Sequence, residues 1–184
     1  MTLNEVVDTA GDTAPTGDAF LDGLFGVDPS AVYFRFLYRL VQRARPKLIV
    51  ELGTWKGWST AHLAAPDPEC AVITVDIAPQ REFEAILPKY PNIVFIKGRT
   101  DDFEVLNQVD DGKADICYVD TIHEREYVSK EVALWGRKVR RGGIILFDDV
   151  LMNDDMKRFW DWLPLEKVLL PGLHWTGFGA ALIP

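Results

Sequence analysis

Little in this chain points to a covalent scaffold. It has two cysteines, Cys70 and Cys117, too few for a disulfide framework and in no C-x-x-C or other metal-ligand spacing, so a reducing cytoplasm is the expected compartment. Basic residues are also in short supply. Against 28 Asp and Glu stand 20 Lys and Arg, a formal charge of −8, which argues against a broad phosphate-binding face and hence against nucleic acid as a partner. The opening MTLNEVVDTAGDTAPTGDAF lacks both the basic and the apolar segment of a signal peptide, and no later run is long and apolar enough for a membrane span. A soluble, unprocessed protein is expected. Repeats and interdomain linkers are absent too, and 184 residues with 48% hydrophobic content can bury one core.

What is present is an alternation. Residues 1–27, rich in Asp, Thr, Gly and Ala with little periodicity, read as a loose N-terminal arm, leaving 28–184 as a single domain. The domain opens on DPSAVYFRFLYRLVQRARP, where Asp28 has the character of an N-cap, Pro29 suits the first helical position, and Val32, Phe36, Leu40 and Val41 follow at helical spacing. Apolar runs at 48–52, 72–77, 93–97, 116–120 and 144–148 have the composition of buried parallel strands. Helical segments are expected near 57–65, 79–88, 101–109, 123–140 and 153–162, and the basic GRKVRR at 136–141 reads as the last turn of one of them. This is the pattern of a Rossmann-like, doubly wound α/β sheet with helices on both faces. After it, LEKVLLP and TGFGAALIP leave no room for another helix, so the tail should add two strands, one of them antiparallel.

Ligands bind at the carboxyl ends of strands in such sheets. Here those ends carry Glu51, Asp76, Asp120, Asp148 and Asp149. The first strand runs into LIVELGTWKGWST, whose Gly53 and Gly57 allow a tight turn but do not form G-x-G-x-x-G. Asp76, ending the second strand, has a carboxylate suited to both hydroxyls of a ribose.

Taken together, ELGTWKGWST, VDI, KGRTDD, YVDTIHE, RRGGIILFDDV and GFGAAL make the chain from about Pro46 onward similar to class I S-adenosylmethionine-dependent methyltransferases, among them the small metal-dependent O-methyltransferases. The resemblance implies a seven-stranded sheet, mostly parallel with an antiparallel last strand. It implies further that Glu51, Gly53, Thr54, Trp55, Gly57 and Ser59 surround the amino-acid part of S-adenosylmethionine. Asp76 would hold the ribose, Ile77 would lie beside the adenine, and Thr100 and Asp101 would lie near its edge. Trp55 and Lys56 depart from the smaller residues usual in that turn; Trp55 either packs on the cofactor or is an ordinary surface aromatic.

Asp120, Asp148 and Asp149 offer hard oxygen ligands of the kind that suits Mg²⁺, or they are strand-end acids lining the cofactor pocket. His123, three residues after Asp120, has the intrinsic pKa of a general base, or it caps a helix. Some metal-dependent relatives carry an acid where Ile122 stands. His62 reads as a packing residue, whereas His174 is placed to reach the acceptor. Trp160 and Trp162 either wall the acceptor pocket or belong to the core or an interface. The expected function is O-methylation of a hydroxylated small molecule, a sugar or natural product, in a pocket completed by the arm or by a second copy of the chain. Two alternatives are a nicotinamide-dependent oxidoreductase on a related fold and a non-catalytic S-adenosylmethionine-binding protein.

Overall fold

The structure, a computed structural model, describes residues 1–28 and 31–184. Three helices come first: α1 (Leu3–Ala10), α2 (Ala19–Val27) and α3 (Tyr33–Ala44). Strands and helices then alternate as β1 (Leu48–Leu52), α4 (Trp58–Ala64), β2 (Ala71–Asp76), α5 (Phe83–Ile86), β3 (Ile93–Lys97), α6 (Phe103–Leu106), β4 (Ala114–Val119) and α7 (Arg125–Trp135). The chain closes with β5 (Val139–Phe147), α8 (Asp154–Trp162), β6 (Glu166–Leu169) and β7 (Gly179–Leu182).

The seven strands form one sheet in the order β3-β2-β1-β4-β5-β7-β6. Strands β1 to β5 run parallel, and β7 inserts antiparallel between β5 and β6. Strand order reverses between β1 and β4, the switch point at which a crevice opens in such sheets. Alternate residues supply two cores, one per face. Ile49, Ile116, Tyr118, Ile144 and Leu146 pack under α3 and α4 with Phe36, Leu37 and Phe178. Val50, Cys117, Val119, Ile145 and Phe147 pack under α7 and α8 with Trp135, Met156 and Phe159.

Several expectations need correction. Residues 1–27 are helical rather than loose over much of their length. Thr2 and Glu5 form a reciprocal capping box on α1, and Asp18 caps α2 by accepting from Phe20 and Leu21 N–H. Val6 and Leu21 are fully buried, and Arg43 pairs with Asp12 at 2.8 Å. The polar composition concealed a short amphipathic stripe. Helix α3 begins at Tyr33, and Val32 before it, rather than Asp28, is its N-cap and makes no side-chain cap; the expectation for Pro29 falls outside the described residues. Helix α7 stops at Trp135, and Gly136 follows as its C-cap, donating its N–H to Val132 O at 2.9 Å. GRKVRR is the turn after α7 and the first residues of β5 rather than a helix end, and Arg137 and Lys138 pair with Asp111 while Arg140 pairs with Asp115.

Candidate active site

Gly53 and Gly57 both have positive φ, +95° and +74°, as does Trp55 at +44°. Their reasons differ. A Cβ on Gly53 would lie 1.9 Å from the carbonyl oxygen of Asp120, so this glycine lets the β1 turn close against the end of β4. A Cβ on Gly57 would instead strike the Phe83 ring at 2.4 Å, so its smallness serves the packing of α4 on α5. The turn itself is held by Asp76: its Oδ2 accepts from Thr54 N–H (3.0 Å) and Trp55 N–H (2.8 Å), and its Oδ1 from Ala78 N–H (2.8 Å).

Behind the turn, Glu51 is fully buried and accepts from Thr60 (2.5 Å) and Thr74 (2.6 Å), while Thr74 also meets Thr54 at 2.6 Å. Burial pushes the Glu51 carboxyl up to about 7 despite hydrogen bonds from Ser59, Thr60 and Thr74.

In front of the turn lies a cavity of about 460 Å³ lined by residues from nearly every strand end. One half is formed by Gly53, Trp55, Asp76, Ile77 and Thr100. The other half is formed by Asp120, His123, Asp148, Asp149 and His174, with Tyr33 beside them. Of the residues expected around a cofactor, Glu51, Thr54, Gly57, Ser59 and Asp101 do not line it. Thr54 and Gly57 belong to the turn itself, Glu51 and Ser59 flank it in β1 and α4, and Asp101 is tied to Arg99 (2.9 Å) and Lys130 (2.7 Å), which hold its carboxyl down at about 2.

The acidic half is a linked cluster. His123 Nε2 lies 2.8 Å from Asp149 Oδ2 and 3.8 Å from Asp120 Oδ1. His174 Nδ1 lies 2.8 Å from Asp148 Oδ1 and 3.4 Å from Asp149 Oδ1. Thr176 donates to Asp149, and Tyr118 donates to Asp120 at 3.2 Å. Burial, then the charges of Asp148 and Asp149, hold the Asp120 carboxyl well above its ordinary value. Burial also raises Asp148. At Asp149 burial is outweighed by the hydrogen bonds from His123 and Thr176, and the carboxyl is held low. The bond to Asp149 raises His123; at His174 the bond to Asp148 and the surrounding carboxylates overcome burial, and this imidazole is raised as well. Two donor groups, Asp120–His123–Asp149 and Asp148–Asp149–His174, each have ligand atoms within 4.8 Å of one another and could hold a metal ion.

Sequence reasoning missed Tyr33, Arg99 and Tyr127 in the lining. Tyr33 sits at the start of α3, where its N–H donates to Leu173 O at 3.0 Å; no local pattern announces that pairing. Trp160 is buried against Gly179 and Trp162 is exposed, and neither lines the cavity. His62 is a packing residue stacked on Phe34 at 5.1 Å.

A family model described as a methyltransferase domain matches residues 50–150. No curated protein matches the chain by sequence. Among solved structures, the SAH-bound methyltransferase PaMTH1 of Podospora anserina is similar with a TM-score of 0.70 at 18% identity, over 97% of this chain and 87% of that one. The O-methyltransferase of Bacillus cereus in complex with SAH gives 0.63 at 20% identity, over 99% and 90%. The O-methyltransferase TomG of Streptomyces achromogenes, in complex with SAM, gives 0.61 at 19% identity, over 97% and 89%.

Proposed function

The chain belongs to the class I S-adenosylmethionine-dependent methyltransferases, and from that premise we propose that it methylates a hydroxyl of a small molecule, a sugar or natural product, with a divalent cation such as Mg²⁺ at Asp120, Asp148 and Asp149. The nicotinamide-dependent and non-catalytic alternatives have no comparable support. One observation carries the reading. A single cavity joins a glycine turn braced by the Asp76 carboxylate to a cluster able to accept a proton and hold positive charge.

In this reading the donor's amino-acid part lies against the turn at Gly53–Trp55, its ribose reaches Asp76, and its adenine lies between Ile77 and Thr100. The methyl group then points to the acidic half. An acceptor hydroxyl beside His123 gives its proton to that imidazole as its oxygen attacks the methyl carbon in line. The carbon–sulfur bond breaks, its electrons stay on sulfur, and the positive sulfonium becomes a neutral thioether. Asp149 steadies the imidazolium that forms.

The donor set fits a divalent ion. Asp120, His123 and Asp149 bring ligand atoms together, as do Asp148, Asp149 and His174, and among the described residues the ion-pair partners of those carboxylates are the two histidines. Two of the carboxyls are raised by burial and mutual repulsion, which a cation in their midst would relieve. When bound, such an ion would stabilise negative charge on the acceptor oxygen.

The test is calorimetric titration with S-adenosylhomocysteine and with NAD, each with Mg²⁺ and with EDTA. Binding of the homocysteine product alone, weakened by Asp76→Ala, is expected. Equal binding of NAD, or no binding of the product under any condition, would sink the reading. Mg²⁺ uptake by the wild type that survives replacing both Asp148 and Asp149 with Ala would sink the metal assignment. Sedimentation in the same buffers tests the second copy of the chain: a monomer at micromolar concentration counts against a shared pocket.

A further inference from the structure

Helix α7 grips the loop after β3 with three side chains in a row. Tyr127, Glu131 and Trp135 are spaced by four and share one helix face. All three reach Thr100: Tyr127 Oη lies 2.9 Å from Thr100 Oγ1, Thr100 Oγ1 lies 2.5 Å from Glu131 Oε1, and Trp135 Nε1 donates to Thr100 O at 2.8 Å. The other oxygen of Glu131 accepts from Thr121 Oγ1 at 2.7 Å. One carboxylate thus links two loops, 98–102 after β3 and 120–124 after β4. Thr100 and Thr121 both line the cavity, and Glu131 does not. With Glu131 ionised the hydrogens fall into a single order, Tyr127 to Thr100 to Glu131 with Thr121 donating from the far side, and every polar atom is used.

Glu131 is fully buried. An aliphatic side chain would fill the same space without desolvating a carboxyl. A carboxylate fixes direction as well as volume, because each of its oxygens is committed to one loop. The β3 loop is fastened a second time from the same helix by Lys130 on Asp101 at 2.7 Å.

We propose that Glu131 is a positioning residue for the donor: from α7 it sets the separation of the β3 and β4 loops and thereby the width of the slot for the nucleoside. The proposal rests on the donor reading above for its ligand, but the loop linkage stands on its own geometry. It makes donor affinity, not the methyl-transfer step, depend on Glu131.

The test uses the full chain with Glu131→Leu, Glu131→Gln and Thr121→Val. The readouts are S-adenosylhomocysteine affinity by calorimetry, the denaturation midpoint, and amide exchange of loops 98–102 and 120–124 without ligand. Glu131→Leu should weaken affinity about tenfold or more and speed exchange in both loops while leaving the sheet protected. Glu131→Gln, which keeps an acceptor toward one threonine and offers an N–H donor to the other once that hydroxyl rotates to accept, should stay within about threefold. Thr121→Val should weaken affinity alone and add nothing in the Glu131→Leu background. Affinity within twofold for Glu131→Leu, or equal loss for Leu and Gln, would overturn the proposal. Should Glu131→Leu fail to fold, Thr121→Val decides: weaker binding with an unchanged midpoint supports it, and unchanged binding overturns it. Should the wild type bind no S-adenosylhomocysteine, the donor reading fails and loop exchange alone judges the linkage: faster exchange upholds it, unchanged exchange removes it.

Discussion

Replacing Gly53 with Ala tests whether the β1 turn and the residue that ends β4, Asp120, share one backbone contact. The new Cβ would stand 1.9 Å from Asp120 O, about 1.5 Å inside the 3.4 Å at which ordinary contact begins. The backbone there is also at φ +95°, a region that costs a residue with a Cβ about 1–3 kcal/mol. Neither neighbour is a flexible side-chain end, so the collision must be relieved by moving main chain. Strain and collision together should destabilise by about 3 kcal/mol, or about 6–12 °C in midpoint for a chain of this size. Asp120 should move by about an ångström, enough for about a hundredfold loss of turnover. Gly172→Ala separates the two causes, since Gly172 has φ +80° but nothing within 4 Å of its would-be Cβ. It should lose about 1–2 kcal/mol and keep turnover. The assay is thermal denaturation of both variants alongside methyl transfer and product binding. A Gly53→Ala protein no less stable than Gly172→Ala, with full activity, would refute the shared contact.

Other perturbations test the remaining links. His123→Ala should lower kcat about 10²–10⁴-fold with little change in KM for the donor; unchanged turnover on a true acceptor would remove His123 as the base. Glu51 carries a pH signature. Its carboxyl rises from 4.5 to about 7 on folding, so between those values the folded chain binds more protons than the unfolded one and stability falls as pH rises. The loss is absent below 4.5 and complete above about 7, at about 3 kcal/mol. The stability of Glu51→Gln relative to wild type should therefore grow across that window and then level; a flat difference in urea titrations would contradict the burial argument. Dialysis against EDTA should lower activity and added Mg²⁺ restore it, whereas full activity after chelation would speak against the metal.

Much of the fold was legible because its signals are local. The runs at Leu48–Leu52 and Ile93–Lys97 match β1 and β3 residue for residue, and Asp76, Asp120 and Asp148 fall at strand ends as the alternation required. Short elements were less legible. Helix α6 is four residues long where nine were expected, since Asp102 caps it and Gln108 already lies beyond its last turn. In the site, proximity along the chain revealed Asp120 with His123, while the reasons for other motif residues stayed hidden. Gly57 leaves room for the Phe83 ring, and Glu51 lies behind the turn.

The sequence by itself determined the sheet, the strand-end acids and the family, because periodicity, composition and contiguous motifs need no partner to be read. Only the tertiary structure decided which acids meet which bases. Asp149 faces His123 on one oxygen and His174 on the other, Glu131 joins Thr100 to Thr121, and Tyr33 comes to the cavity from the start of α3. Each of these contacts joins distant parts of the chain, and a hydrogen bond depends on angstroms of separation that sequence spacing does not fix.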